Sequence, residues 1–157
     1  MRGLHFPFEE ITNLKQWKSL FKENLSYIEK QISACIIALN EERCIKRCID
    51  SVVDIVDEVI VVDTGSIDKT VQIASSYNKS KVKVYNKKWA NDFADSRNFA
   101  INKATKDWLF FIDADEYLDK KDKDKFRLII NLFNNFPSEY NLSLSPLIIN
   151  HDDHAII

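Results

Sequence analysis

Residues 108–117 read Trp-Leu-Phe-Phe-Ile-Asp-Ala-Asp-Glu-Tyr, an apolar run that ends in two carboxylates. The first five residues are mostly aromatic or β-branched, which predicts a strand buried on both faces. Because burying an unpaired carboxylate is costly, Asp113 and Asp115 should lie at the carboxyl end of this strand and face an open crevice. Two such oxygen ligands suit a hard divalent cation bound to a diphosphate. The alternative for so short a pattern is an acidic strand end in solvent.

Two more buried strands are predicted at 32–39 and 58–62, and each runs directly into polar residues. Residues 40–42 (Asn-Glu-Glu) are suited to cap the helix that follows and to match its dipole. Asp63 is suited to brace a loop whose sharp turn uses Gly65, the only glycine outside the N-terminal tail. These local roles do not exclude function, because ligands of open α/β sheets bind at the carboxyl ends of the strands.

The remaining segments complete an alternation of strands and helices. Valine alternates with lysine at 81–85, which indicates a strand with a more hydrated face or edge, and a helix is predicted at about 94–104. The alternating charges at 119–125 predict a solvated loop and helix start. A helix face follows over 126–133, and a last strand is predicted at 142–149.

The order β-α-β-α-β-α-β-α-β predicts a parallel, doubly wound sheet with right-handed crossovers. In such a sheet Asn40, Asp63 and Asp113 reach the same edge, because each follows a parallel strand. Arg97, in the first turns of the third helix, would be a surface charge elsewhere, but near this edge it could hold a phosphate or a base.

Composition narrows the class of protein. A chain of 157 residues with 45% hydrophobic and 29% charged residues is typical of one globular domain. Its formal net charge of −2 gives no sign of a nucleic-acid partner. No apolar run approaches the ~20 residues of a membrane span. Residues 1–10 do not resemble a signal peptide, so we expect a cytoplasmic protein.

The three cysteines are expected to be reduced and buried. Cys35 lies in an apolar strand, and Cys44 and Cys48 are four residues apart on one face of a predicted helix. A metal site would need two more soft ligands, and the neighbouring sequence offers none.

Both ends of the chain carry patterns of their own. Apolar residues recur at helical spacing over 11–28, which predicts an amphipathic helix packed on the domain or on a partner chain, as in a homodimer. Residues 151–154 (His-Asp-Asp-His) are of metal-binding types, but this unpatterned tail is expected to be incidental.

Four motifs together resemble the family 2 glycosyltransferases of the GT-A fold. They are Ile-Ile-Ala-Leu-Asn-Glu-Glu at 36–42, Val-Val-Asp-Thr-Gly-Ser-x-Asp-x-Thr at 61–70, Ala-x-x-Arg-Asn at 94–98 and Phe-Ile-Asp-Ala-Asp-Glu at 111–116. The sequence over 89–98 looks closer still to the sublancin-type S-glycosyltransferases, which attach a hexose to a peptide cysteine. The resemblance implies a three-layer, mostly parallel α/β/α fold.

The resemblance also implies a UDP-sugar as the donor. By this likeness Leu39, Asn40 and Glu41 would line the uridine and ribose site, and Asp63 would accept a hydrogen bond from the uracil ring. Arg97 would lie near the base or the diphosphate.

The motif at the end of the fourth strand would complete the donor site. By the same resemblance Asp113, Ala114 and Asp115 would contact the donor, with Asp113 at the ribose or in the metal's shell. Asp115 would bind a Mg²⁺ or Mn²⁺ ion that bridges the diphosphate. Such an ion neutralises charge as the nucleoside diphosphate leaves.

The implied division of the chain is an N-terminal helical extension at 1–30 and a GT-A nucleotide-sugar-binding domain at 31–157. In the family the catalytic base and the site for a peptide, glycan or lipid acceptor follow the Asp-x-Asp strand, and we expect both beyond this chain. The chain is therefore expected to bind a sugar nucleotide without efficient turnover. A non-catalytic binding or interaction module is the alternative.

A second enzyme class places Asp-x-Asp after an apolar strand. In the haloacid-dehalogenase-like phosphatases the first Asp is the nucleophile, but that strand comes first in the chain and Thr or Val follows the second Asp two residues later. Here Tyr117 stands at that position and the strand is the fourth, so this class is disfavoured.

Overall fold

A computed structural model describes residues 2–5, 30–133 and 147–150 of the chain. The elements in chain order are β1 (Arg2–His5), β2 (Ile32–Ala38), α1 (Ile45–Val52), β3 (Glu58–Asp63), α2 (Thr70–Ser75), β4 (Val82–Asn86), α3 (Phe93–Lys103), β5 (Trp108–Phe111), β6 (Glu116–Leu118), a 3₁₀ turn (Lys120–Asp122), α4 (Lys123–Phe133) and β7 (Leu147–Asn150).

The main sheet has four parallel strands in the order β4-β3-β2-β5. Ala38 pairs with Asp63, and Cys35 pairs with Phe111. This register brings the carboxyl ends of β2, β3 and β5 to one edge of the sheet. The parallel α/β alternation predicted from the sequence is confirmed, and of the two alternatives left open for β4, a hydrated face or an edge, the strand lies at an edge of this sheet.

Helices cover both faces of this sheet. On one face α1, α2 and α4 pack on alternate residues of β2 and β3, and on the other face Ala100 of α3 packs on Cys35, Ile60 and Val62. The first helix buries Ile45, Cys48, Ile49 and Val52, the spacing of an amphipathic helix. The result is the predicted three-layer α/β/α arrangement.

All three cysteines are free, as predicted. Cys35 and Cys48 are buried as predicted, but the prediction of burial was wrong for Cys44, which is half-buried as the N-cap residue of α1. Burial, with a smaller contribution from the charge of Glu58, raises the pKa of the Cys35 thiol to about 12. A thiol of that kind packs as a small apolar side chain.

Two expectations about exposure were wrong. Strand β5 is not buried on both faces: within the described residues only β2 pairs with it, and Leu109 is exposed. The segment of alternating charges at 119–125 is not fully solvated either. Its Asp122 is completely buried and forms an ion pair with Lys125 at 2.9 Å. That pair gives the buried carboxylate the partner that an apolar environment requires.

A second, three-stranded sheet was not predicted as such. Strand β1 lies between β6, to which it is parallel, and β7, to which it is antiparallel. The strand predicted at 142–149 is found at Leu147–Asn150 within the described part of the chain. The predicted helix at 11–28 and the tail at 151–154 lie outside the described residues. Among the described helices, none has the length and apolarity of a membrane span.

A buried carboxylate fixes the amino end of the main sheet. Glu58 is 1% exposed, and it accepts hydrogen bonds from the Ser33 hydroxyl at 2.7 Å and the Lys83 ammonium at 2.8 Å. It also accepts from the backbone N–H and the hydroxyl of Thr105. Three strands and the loop that precedes β5 thus meet at one side chain.

These donors decide the ionisation of Glu58. Burial alone would raise its pKa, but the hydrogen bonds from Lys83, Thr105 and Ser33 outweigh burial and lower the pKa from 4.5 to about 2. The folded pKa lies below the unfolded one, so the ionised group stabilises the fold above about pH 4.5. That stabilisation is lost as the pH falls towards 2.

We expect Glu58→Ala to lower the free energy of unfolding by about 2–4 kcal/mol at pH 7, because it leaves several donors without an acceptor. The difference from wild type should shrink as the pH falls from 4.5 towards 2. Urea unfolding at several pH values measures both effects. Asp54→Ala, which removes an exposed acid from the loop before β3, is the matched control. A pH-independent difference for Glu58→Ala would contradict the argument.

Candidate functional site

Two loops at the carboxyl edge of the main sheet are joined by hydrogen bonds. The loop at 39–44 follows β2 and the loop at 64–69 follows β3; we call them the paired loops. The backbone N–H of Asn40 donates to the Ser66 hydroxyl at 2.8 Å, and the Asn40 side-chain oxygen accepts from the Ile67 N–H at 2.9 Å. Asn40 has a φ of +57°, a left-handed conformation that Asn tolerates better than most residues.

The same pairing continues towards α2. The Glu41 N–H donates to the Thr70 hydroxyl at 2.7 Å, and the Glu42 N–H donates to the Asp68 carboxylate at 3.0 Å. In return, the Glu42 carboxylate accepts from the Lys69 N–H at 3.0 Å. Backbone donors that would otherwise need water are thus satisfied by side chains of the opposite loop.

The predicted capping role of residues 40–42 was wrong. Helix α1 begins later, at Ile45; its N-cap residue Cys44 makes no side-chain capping bond, and its first turn holds no acid. The carbonyl of Glu41 accepts the N–H groups of Cys44 and Ile45 in a separate turn. Because of this turn the helix begins at Ile45, and the side chains of Asn40 and Glu42 bind the neighbouring loop instead of capping the helix.

Asp63 braces the turn at the end of β3. Its carboxylate is 4% exposed and accepts the N–H groups of Gly65 and Ser66, each at 3.1 Å. Gly65 has a φ of +121°, so the turn uses the conformational freedom of glycine as the sequence predicted. The bracing role is confirmed, and contact with a base remains a prediction.

The Asp-x-Asp motif lies where the sequence placed it, directly after β5. Asp113 is exposed and Asp115 is half-buried, and Ala114 between them is buried in the core. The Glu116 N–H donates to the Asp113 carbonyl at 2.9 Å, so residues 113–116 form a turn. The two carboxylates therefore lie on a turn at the sheet edge and outside the strand.

Electrostatics links this turn to the paired loops. The pKa of Glu41 is raised, first by burial and then by the negative charges of Asp115 and Asp68. The pKa of Cys44 is raised by burial, and the charges of Glu41 and Asp115 add to that rise. Glu41 at the end of β2 is thus close enough to be repelled by carboxylates that follow β3 and β5.

Arg97 brings a positive charge to the same region. Its guanidinium lies over the ring of Phe111, 4.7 Å from the centroid, and the side chain is exposed. Phe111 is the last residue of β5, so Arg97 of α3 is held beside the end of that strand. Leu39 is 47% exposed at the start of the paired loops, and it adds an apolar surface to the edge.

The residues present fit a divalent ion that shares its coordination with a ligand. Within the described ranges, no three His, Cys, Asp or Glu side chains form a ready metal cage. Asp113 and Asp115 would supply one or two carboxylates, and Mg²⁺ usually takes its other ligands from phosphates and water. The donor set suits that mode better than a closed structural site.

Sequence reasoning missed some supporting residues. Phe111, Cys48 and Glu116 contact the predicted site residues, yet none was assigned a role beyond the strand, the core or the motif. One feature of the sequence could have indicated the role of Glu116. It lies three residues after Asp113, the separation found in a turn that is closed by a hydrogen bond.

The profile of the family described as "Glycosyl transferase family 2" matches residues 33–132. A curated relative, the glycosyltransferase SunS of Bacillus subtilis, is 37% identical over 123 residues, which are 78% of this chain and 28% of the relative. A "TPR repeat-containing protein" of Synechococcus elongatus is 47% identical over 88 residues, or 56% of this chain and 21% of the relative.

The crystal structure of S. aureus TarS 1-349 is similar, with a TM-score of 0.55 and 24% identity over 66% of this chain and 33% of that one. This likeness concerns the fold alone, and it agrees with the GT-A architecture implied by the motifs. The family match also overturns the phosphatase alternative. The chain spans about a fifth to a third of the length of the curated relatives it matches.

Thr70→Val should loosen the paired loops. The buried hydroxyl of Thr70 accepts from Glu41 and donates to Asp68 at 2.5 Å, and valine has the same shape without the hydroxyl. We expect a loss of about 1–3 kcal/mol in the free energy of unfolding, and faster hydrogen exchange at the Glu41 amide.

Thr70→Ser is the matched control for this prediction, because it keeps the hydroxyl and loses only the methyl group. Urea unfolding and amide exchange by NMR compare the two variants. If the Thr70→Ser and Thr70→Val chains exchanged the Glu41 amide at the same rate, the hydroxyl would not be what joins the loops.

Proposed function

This chain belongs to glycosyl transferase family 2, and we propose that its described domain binds a UDP-sugar together with a divalent metal ion, for transfer of a hexose to an acceptor. The observation that carries the proposal is the meeting of three strand ends. Glu41 after β2 is within electrostatic reach of both Asp68 after β3 and Asp115 after β5, at the edge where open α/β sheets bind ligands.

The paired loops are the proposed site for uridine. Leu39, Asn40 and Glu41 would line the base and ribose, since they lie on a loop whose backbone is fixed by the loop opposite. Asp63 would accept a hydrogen bond from the uracil ring. Its carboxylate is already oriented by two backbone N–H groups, so little ordering would be needed when the base binds.

The turn after β5 is the proposed site for the diphosphate. Asp113, Ala114 and Asp115 would contact the donor there, and the two carboxylates would hold Mg²⁺ or Mn²⁺. A metal ion at that place supplies charge neutralisation for a departing nucleoside diphosphate. The charges of the edge support this assignment: an edge rich in carboxylates would repel a diphosphate unless a cation lay between them. Arg97 would add a second positive group near the phosphates or base.

The acceptor side of the reaction is proposed to lie elsewhere in a longer protein. Relatives extend well beyond the matched region, and we propose that such a segment supplies the catalytic base and the acceptor site. Among peptide, glycan and lipid acceptors, the sublancin-type resemblance favours a peptide cysteine. The division into an extension at 1–30, whose strand β1 joins the second sheet, and a domain at 31–157 belongs to the same proposal, as do a homodimer and a cytoplasmic location.

The first experiment is calorimetric titration of UDP into the protein, with and without Mn²⁺. Wild type should bind UDP more tightly when the metal is present. Asp115→Ala should remove most of this metal-dependent gain, about tenfold or more in Kd, because one of two carboxylate ligands is lost. Asp124→Ala, an exposed acid on α4, should bind as wild type does. Equal affinity for UDP with and without the metal would contradict the proposed metal site.

A transfer assay separates the enzyme from a binding module. We expect the 157-residue chain to bind a UDP-hexose but to transfer it poorly to a cysteine-containing peptide. Mass spectrometry of the peptide measures the product, with hydrolysis of the donor followed in parallel. Robust transfer by this chain would show that the base and acceptor site are present within it.

A further inference from the structure

The turn that carries Asp113 and Asp115 is closed by a reciprocal pair of hydrogen bonds. The Asp113 N–H donates to the Glu116 carboxylate at 3.0 Å, and the Glu116 N–H donates to the Asp113 carbonyl at 2.9 Å. The peptide groups on both sides of Asp113 are therefore bound to one residue. A carboxylate acceptor makes the first of these bonds stronger than a neutral acceptor would.

Helix α1 also binds the turn that carries Asp113 and Asp115. The thiol of Cys48 donates to the Asp113 carbonyl at 3.4 Å. One helical turn later, the Ser51 hydroxyl accepts the Leu118 N–H at 3.0 Å and donates to the Cys48 carbonyl at 2.7 Å. The segment from Asp113 to Leu118 is thus attached to α1 at both of its ends.

Strand β1 holds the other side of this segment. Arg2 pairs with Glu116, Gly3 with Tyr117 and Leu4 with Leu118 in the parallel β1–β6 ladder. The backbone of Glu116 is consequently part of a sheet, and its side chain reaches back to Asp113 from a fixed position. Glu116 is only 6% exposed.

We propose that Glu116 is a positioning residue that holds Asp113 and Asp115 in the geometry needed for the metal–diphosphate complex, without itself binding the metal. The inference rests on the proposed donor site. The burial of the Glu116 side chain and its bond to the Asp113 N–H assign it to the turn, whereas Asp113 is exposed and Asp115 is half-buried. The turn is then ordered before the ligand arrives, which lowers the cost of binding.

Two substitutions distinguish positioning from direct ligation. Glu116→Ala removes the acceptor, and Glu116→Gln keeps a side-chain oxygen that can accept the Asp113 N–H but removes the charge. UDP affinity is measured by calorimetry with and without Mn²⁺. Asp119→Ala is the matched control, because Asp119 also accepts a backbone N–H, that of Lys121 at 3.0 Å, within the next turn of the chain.

Glu116→Ala should weaken the metal-dependent binding of UDP about tenfold, the effect of losing one charge-assisted hydrogen bond, and leave metal-free binding unchanged. Glu116→Gln should stay within about threefold of wild type, and Asp119→Ala should match it. Exchange of the Asp113 amide, followed by NMR, should accelerate in the alanine variant and not in the glutamine variant.

Each contrary result has a distinct meaning. If Glu116→Gln lost as much metal-dependent affinity as Glu116→Ala, the charge itself would matter and positioning would be overturned. Unchanged exchange of the Asp113 amide in Glu116→Ala would overturn it as well, whatever the affinities. A wild-type chain without metal-dependent UDP binding would instead overturn the proposed donor site, and this inference with it.

Discussion

The buried carboxylate of Glu58 sets the geometry on which the rest of the domain depends. Glu58 and Ser33 are register partners as well as hydrogen-bond partners, so the side chains lock the same pairing that the backbone ladder makes. Thr105 joins them from the loop that leads into β5. Because a shift of one residue would send every side chain to the opposite face, this lock at the amino end decides which residues emerge at the carboxyl end.

Helix α1 fixes the positions of the loops at the carboxyl edge of the main sheet. It begins just after the paired loops, and its residues Cys48 and Ser51 bind the segment that follows β5. Both proposed halves of the donor site, for the nucleoside and for the diphosphate, are therefore attached to one helix whose apolar face is fully buried. Their relative position is set by packing, which is stiffer than a loop could be.

The sequence predicted the strands well, because a continuous apolar run bounded by polar residues is a strong local signal, as at 32–39 and 58–62. It predicted the structure less well where a residue or strand far away in the sequence decides which element forms or which hydrogen bond is made. Strand β1 is four residues long, and its partners β6 and β7 lie more than a hundred residues away. Asn40 was suited to cap a helix by residue type, but its side-chain oxygen accepts from the backbone N–H of Ile67, and its own N–H donates to the Ser66 hydroxyl.

The same limit applies within the site. The residue types and their order placed Asp113 and Asp115 at the end of β5, since a carboxylate cannot remain unpaired in an apolar strand. Nothing in the order of residues shows that the Asn40 side chain binds the neighbouring loop, or that Arg97 lies over Phe111. Those contacts depend on loop conformation and on the packing of α3, which local patterns do not specify.

Two acidic residues at opposite edges of the main sheet have opposite electrostatics. Glu58 is surrounded by donors, which lower its pKa to about 2, so it is stable as a permanent anion inside the fold. The pKa of Glu41 is raised by burial and by the facing charges of Asp115 and Asp68, so its ionised form is opposed by its neighbours. A fold gains nothing by gathering like charges, and in the proposed donor site a bound cation would relieve this repulsion. That contrast is the physical reason to regard Glu58 as part of the scaffold and Glu41 with its acidic neighbours as part of the proposed binding site.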